Sequence, residues 1–116
     1  MDELLAFIPL FEQGAFERAE SVYLSTGEYL PEMERLSEIV AASDIALPEF
    51  DWLPWAETAR TYLQNPDSIS DADLETVRML FTVVRDADRF NRELLPFMCA
   101  KGVVHHLLVR LRSLSA

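Results

Sequence analysis

Residues 70–85, Ser70-Asp71-Ala72-Asp73-Leu74-Glu75-Thr76-Val77-Arg78-Met79-Leu80-Phe81-Thr82-Val83-Val84-Arg85, decide the fold class. Leu74, Val77, Leu80, Phe81 and Val84 recur at intervals of three and four, which stacks their side chains on one face of an α-helix. Ser70 is placed to cap the N-terminus, and Asp71 and Asp73 bring carboxylates to the positive end of the helix dipole. The helix is expected to end around Arg85 to Ala87.

The same periodicity extends outward in both directions. Asp51 can cap a preceding helix whose face carries Trp52, Trp55, Ala56, Ala59, Tyr62 and Leu63, stopped by Asn65-Pro66-Asp67. Pro54 falls in its first turn, where a missing N–H does little harm. Pro31 opens a helix with Met33, Leu36, Ile39 and Val40 inward, ending near Ser43. Leu4, Leu5, Ile8 and Phe11 mark a first helix over about 2–11, which Pro9 stops or bends. The stretch from Gly14 to Gly27 reads as irregular or helical, and Val22-Tyr23-Leu24 suits an extended strand equally well. On the C-terminal side, Phe90, Leu94, Phe97 and Met98 mark a fifth helix that Pro96 forces to start late or kink. Gly102 is a natural stop, and a last helix turns Val104, Leu107, Leu108 and Leu111 inward. The expected fold is therefore all-α, a compact bundle of about five to six short helices in a single domain over residues 1–116.

Composition supports a self-sufficient globular core. The chain has 116 residues, half of them apolar and 26% charged, so it needs neither disulfide nor metal to fold. Its single cysteine, Cys99, has no internal partner. No apolar run is long enough to span a bilayer, and the acidic start Met1-Asp2-Glu3 is unlike a secretory signal. The cytoplasm is the expected compartment.

Net charge is −10, which repels nucleic acids and anionic membranes, so neither is an expected partner. The charge is uneven. Residues 1–58 hold 13 acids against two arginines, and residues 59–116 hold seven acids against eight bases. An acidic end and a mildly basic end are expected.

Several features from Leu47 onward occur together in one order: Asp51-Trp52 with Trp55, Ala72-Asp73-Leu74-Glu75-Thr76, Asp88-Arg89-Phe90, Gly102 and Leu111-Arg112. This order resembles a family of uncharacterised bacterial proteins grouped as a domain of unknown function. There a D-W-x-x-W helix start precedes an A-D-L-E-T helix, an Asp-Arg-Phe turn, and a final helix with an L-x-R-L pattern after a glycine. The resemblance spans roughly residues 47–114. It departs after Arg89-Phe90, where the family pattern has Cys-Glu-Gly and this chain has Asn91-Arg92-Glu93. The resemblance implies a bacterial or phage origin and a helical domain, and supplies no activity.

Candidate chemistry is sparse. His105 and His106 are adjacent and so point about 100° apart on a helix, whereas two zinc ligands on one helix want a spacing of three or four. No second Cys or His cluster exists, so no metal or cofactor is expected. Cys99, between Met98 and Ala100, reads as a buried neutral thiol. Trp52 and Trp55 share a stripe with Ala56 and Ala59 and read as core, and Asp51 reads as a cap. The run Arg85-Asp86-Ala87-Asp88-Arg89 stands out, with two acids and two arginines at an expected helix–helix junction. It reads either as a salt-bridge knot or as an anion or partner-contact site built from Arg85, Asp88, Arg89 and Arg92.

The leading functional expectation is a non-enzymatic protein-interaction domain with a protein partner. Homo-oligomers stay open. One alternative is an acidic inhibitor or mimic acting on a nucleic-acid-binding protein through Glu28, Glu32, Glu34, Glu38 and Asp44. Another is a small enzyme or ligand-binding domain with a pocket between helices that sets Asp86, Asp88 or His105 against a substrate.

Overall fold

The structure is a computed structural model that describes residues 2–51 and 53–115, and within them every side chain except that of Asp88. Eight α-helices occur among the described residues, with no strand. They are α1 (Asp2–Leu5), α2 (Ile8–Glu12), α3 (Ala19–Thr26), α4 (Pro31–Ala42), α5 (Ala56–Gln64), α6 (Leu74–Phe90), α7 (Leu94–Ala100) and α8 (Val103–Ser115). Short 3-10 turns, Leu53–Trp55 and Pro66–Asp71, lead into α5 and follow it. The radius of gyration is 13.0 Å, the value of a compact chain of this length.

The all-α expectation holds, and the helix count rises from five or six to eight. Two local breaks near the N-terminus account for the difference. Pro9 cannot donate to the carbonyl of Leu5, so α1 closes after the Ala6 N–H reaches Asp2 O and the chain restarts at Ile8. Pro9 thus sits in the first turn of α2, and the break precedes it. The 14–27 stretch divides into turns followed by α3, which Gly27 ends in a left-handed conformation at φ +74°. Val22-Tyr23-Leu24 is helical, and the strand alternative is not realised.

Three boundaries in the C-terminal half also differ from expectation. The N-cap of α6 is Asp73, whose Oδ1 accepts from Thr76 N–H at 2.8 Å. Ser70 instead lies in the preceding 3-10 turn and donates to Asp67 O. Helix α6 then runs through Asp88, Arg89 and Phe90, so that run forms its last turn rather than a junction. Pro96 does delay the next helix, which begins at Leu94. Gly102 stands at φ +85° between α7 and α8, which meet at 66°.

Helices α6 and α8 form the centre. Val77, Leu80, Phe81 and Val84 of α6 and Val103, Val104, Leu107, Leu108 and Leu111 of α8 are all fully buried. Met33, Leu36 and Val40 of α4 pack into the same core from one side, Leu4, Phe7 and Ile8 from another, and Leu95 and Met98 from α7. No single helix among the described residues is long and apolar enough to cross a membrane.

Candidate functional site

Besides its apolar stripe, α6 carries a second row of side chains. Arg78, Thr82, Arg85 and Arg89 follow one another at intervals of four, three and four, so they line one flank of the helix. The first three grip the backbone of the 43–50 loop. Arg78 donates from Nε to Ile45 O at 3.1 Å and from Nη2 to Asp44 O at 3.0 Å. The Thr82 hydroxyl is fully buried; it accepts from Leu47 N–H at 2.8 Å and donates to Arg78 O at 2.9 Å. Arg85 donates from Nη1 to Leu47 O at 3.1 Å, while its Nε meets Asp86 Oδ1 at 3.0 Å. These contacts bring the loop that α6 holds up to the helix and fix where the chain goes next.

Arg89, the fourth member of the row, lies one turn further on. It is exposed and makes no hydrogen bond or ion pair among the described residues. Here the loop has peeled away from the helix and left a groove of about 320 Å³. Its loop wall is Pro48, Glu49, Phe50, Asp51 and Leu53, and its helix wall is Arg85, Asp86, Arg89 and Phe90. Phe90 and Leu53 are each 66% exposed, the highest values among the large apolar side chains described. The loop wall is braced from behind: Phe50 packs edge-on against Trp55 at 6.0 Å, and Trp55 stacks on Tyr62 at 6.4 Å. Asp51 Oδ1 accepts from Leu53 N–H at 3.1 Å, which turns the chain into the 3-10 segment. Asp51 thus shapes a local turn two residues on, ahead of α5 itself, whose N-cap is Trp55.

The structure brings only part of the expected cluster together. Arg85 and Arg89 share the groove, with Arg85 spoken for by Asp86 and the Leu47 carbonyl. Arg92 lies beyond the end of α6 and sets its guanidinium over the Tyr29 ring at 4.4 Å, while its carbonyl accepts from the Tyr29 hydroxyl at 2.8 Å. It serves to hold α4's approach to the α6–α7 turn. The Asp88 side chain and Trp52 lie outside what the structure describes. Phe90, expected to belong to the fifth helix, instead ends α6 and stands on the surface.

Other candidates resolve into packing. Cys99 is buried, and burial pushes its thiol far above the usual thiol range. His105 stacks on Phe11 at 5.5 Å; burial, and then the neighbouring charge of His106, hold it below the ordinary histidine value. His106 reaches Gly102 O with Nδ1 at 2.7 Å and Asp67 Oδ1 with Nε2 at 3.1 Å, tying α8 to the Pro66–Asp71 turn. Arg110 donates to Ala72 O at 2.7 Å and ties the same two elements. Of the other C-terminal bases, Lys101 faces Glu20 at 3.9 Å. On α4, Arg35 falls between Glu32 and Glu38, three residues from each, with its guanidinium over Phe7 at 5.2 Å, and so breaks the carboxylate row. Among the described residues no three His, Cys, Asp or Glu side chains converge to hold a metal ion.

A second, larger groove of about 550 Å³ lies between α6, the C-terminus of α8 and the 43–45 segment. Its lining is mainly apolar, including Leu74, Leu111 and Leu114, and its arginine is Arg78, already bonded to two carbonyls.

The family model described as "Family of unknown function (DUF6508)" matches residues 1–116. The chain belongs to DUF6508. Membership covers the whole chain, so it takes in α1 to α4 as well as the 47–114 stretch on which the resemblance rested. Searches of the curated proteins and of the solved structures return no match. For this DUF6508 chain, functional argument therefore stands on the groove itself.

Proposed function

We propose that the chain is a protein-interaction domain and that it docks its partner in the groove between residues 48–53 and the last turn of α6. The observation that carries this reading is the exposure of Phe90 and Leu53, each 66%, on the two walls of a groove that also holds an arginine with no internal partner among the described residues. Val77, Leu80, Phe81 and Val84 of the same helix lie in the core, whereas Leu74, expected to share their buried face, opens α6 before the covering elements reach it and is half-exposed. Leaving a phenylalanine in water forgoes about 1.5–3 kcal/mol that burial would return. Aromatic and arginine side chains in a desolvated pocket are also the groups that dominate protein interfaces. Rigid support of the loop wall by Arg78, Thr82, Arg85 and Trp55 fits a surface that binds without first having to order itself.

The acidic-mimic reading has less behind it, because Arg35 interrupts the row of glutamates on α4. The enzyme reading asks for a titratable group set against a substrate, and Asp86 is already paired with Arg85 while His105 is stacked on Phe11.

Photo-crosslinking in the host cell tests the proposal. A benzophenone side chain at position 90 or 53 is expected to give one discrete adduct, and the same probe at Leu24, exposed on α3, none. Equal labelling from all three positions, or none from 90 and 53, overturns it.

A further inference from the structure

We infer that the partner segment received by this groove is basic and carries one apolar anchor. The inference rests on the docking reading above and adds the chemistry of the partner.

Charge around the groove is divided by wall. The loop wall carries two exposed carboxylates, Glu49 and Asp51, and no base. On the helix wall Arg85 and Asp86 neutralise each other at 3.0 Å, which leaves Arg89. Two open carboxylates face one open guanidinium, and the balance is negative. The wider field has the same sign and is far larger: the chain carries −10, and residues 1–58, which include this loop, hold 13 acids against two arginines. Such a field accelerates the approach of a cationic segment and penalises an anionic one.

The apolar side chains on the two walls fix the rest. At about 320 Å³ the groove is at the low end of ligand-pocket sizes, so it holds a single large side chain rather than a folded element. Leu53, Phe50 and Phe90 offer that side chain aliphatic and aromatic contact. With carboxylates on one wall and Arg89 on the other, the segment has one favoured direction: its Lys or Arg residues lie along the loop, and a backbone carbonyl or a lone acid lies against α6. Charge on both walls thus sets orientation, and the net field sets the sign of the partner.

The experiment uses the full chain, isotope-labelled, and two short synthetic peptides sharing one tryptophan anchor, flanked either by lysines and arginines or by aspartates and glutamates. Backbone amide shifts are followed on titration at low and at physiological salt. The basic peptide is expected to bind on the order of tenfold more tightly, to weaken with salt, and to shift residues 48–53 and 85–90. The double variant Glu49→Gln, Asp51→Asn should lose most of that preference, since asparagine keeps the oxygen that Leu53 N–H needs. Asp44→Asn, outside this groove, should retain it. Tighter binding of the acidic peptide in the same groove overturns the partner chemistry and leaves the docking surface standing. Shifts elsewhere, or no binding by either peptide, overturn both.

Discussion

Thr82→Val is the sharpest test of how the groove is built. The two side chains have nearly the same shape, so no cavity opens, yet the hydroxyl is lost. Leu47 N–H then has no acceptor where it now finds the fully buried Thr82 Oγ1 at 2.8 Å. Leaving a buried donor unsatisfied costs about 1–3 kcal/mol. Leu47 itself is only half-buried, so water can partly replace the hydroxyl, and about 1–2 kcal/mol is the expected loss. An unfolding entropy of about 2.1 cal/mol/K per residue, over 116 residues, converts this to a fall in Tm of about 4–8 °C. Circular dichroism at the helix band gives the melt. Hydrogen exchange gives the local effect, which should be a clear loss of protection at the Leu47 amide with the central α8 amides little changed. An unaltered Tm together with an unaltered Leu47 amide would refute the claim that the α6 row holds the loop.

Three further outcomes follow from the same geometry. Phe90→Ser should change stability by no more than about 0.5 kcal/mol, whereas Phe81→Ala should cost about 3–5 kcal/mol; urea unfolding of both separates a surface phenylalanine from a core one. Cys99 should react with a thiol reagent far more slowly in the native protein than in denaturant, because burial suppresses both access and ionisation. His105 takes up a proton more readily in the unfolded chain than in the fold, where burial and His106 disfavour the charge, so its contribution to stability is full above about pH 6.5 and declines as pH falls below it. In melts over that range wild type should lose stability relative to His105→Gln as pH falls, and a gain relative to the variant would contradict the assignment.

The sequence declares the core well and the site poorly, for physical reasons that particular residues make plain. Burial imposes period on Val77, Leu80, Phe81 and Val84 and on Leu107, Leu108 and Leu111, so their faces are legible. Proline also speaks clearly at positions 31, 66 and 96, where helix starts and stops fall as expected. Pro9 is less direct, because the break it causes falls before it, at Ala6 and Phe7. Phe90 defeats the pattern. It continues the row of Val83, seven residues earlier, but α6 has by then outrun the elements that cover it, and periodicity carries no information about where the partners end. Arg92 is close to Arg85 and Arg89 in the chain, but the helix ends between them, and its guanidinium lies over Tyr29. The row of Arg78, Thr82, Arg85 and Arg89 did leave a signal, a polar side chain every third or fourth position beside the apolar stripe. What it grips, a loop more than thirty residues earlier, is a tertiary fact.

The most direct measurement of the docking claim is a hydrogen-exchange footprint of the full chain with and without the protein that crosslinks to position 90. Protection confined to residues 48–53 and 85–90 is the predicted result. Protection centred instead on residues 42–45 and 111–115, beside the larger groove, or on α4, would contradict it.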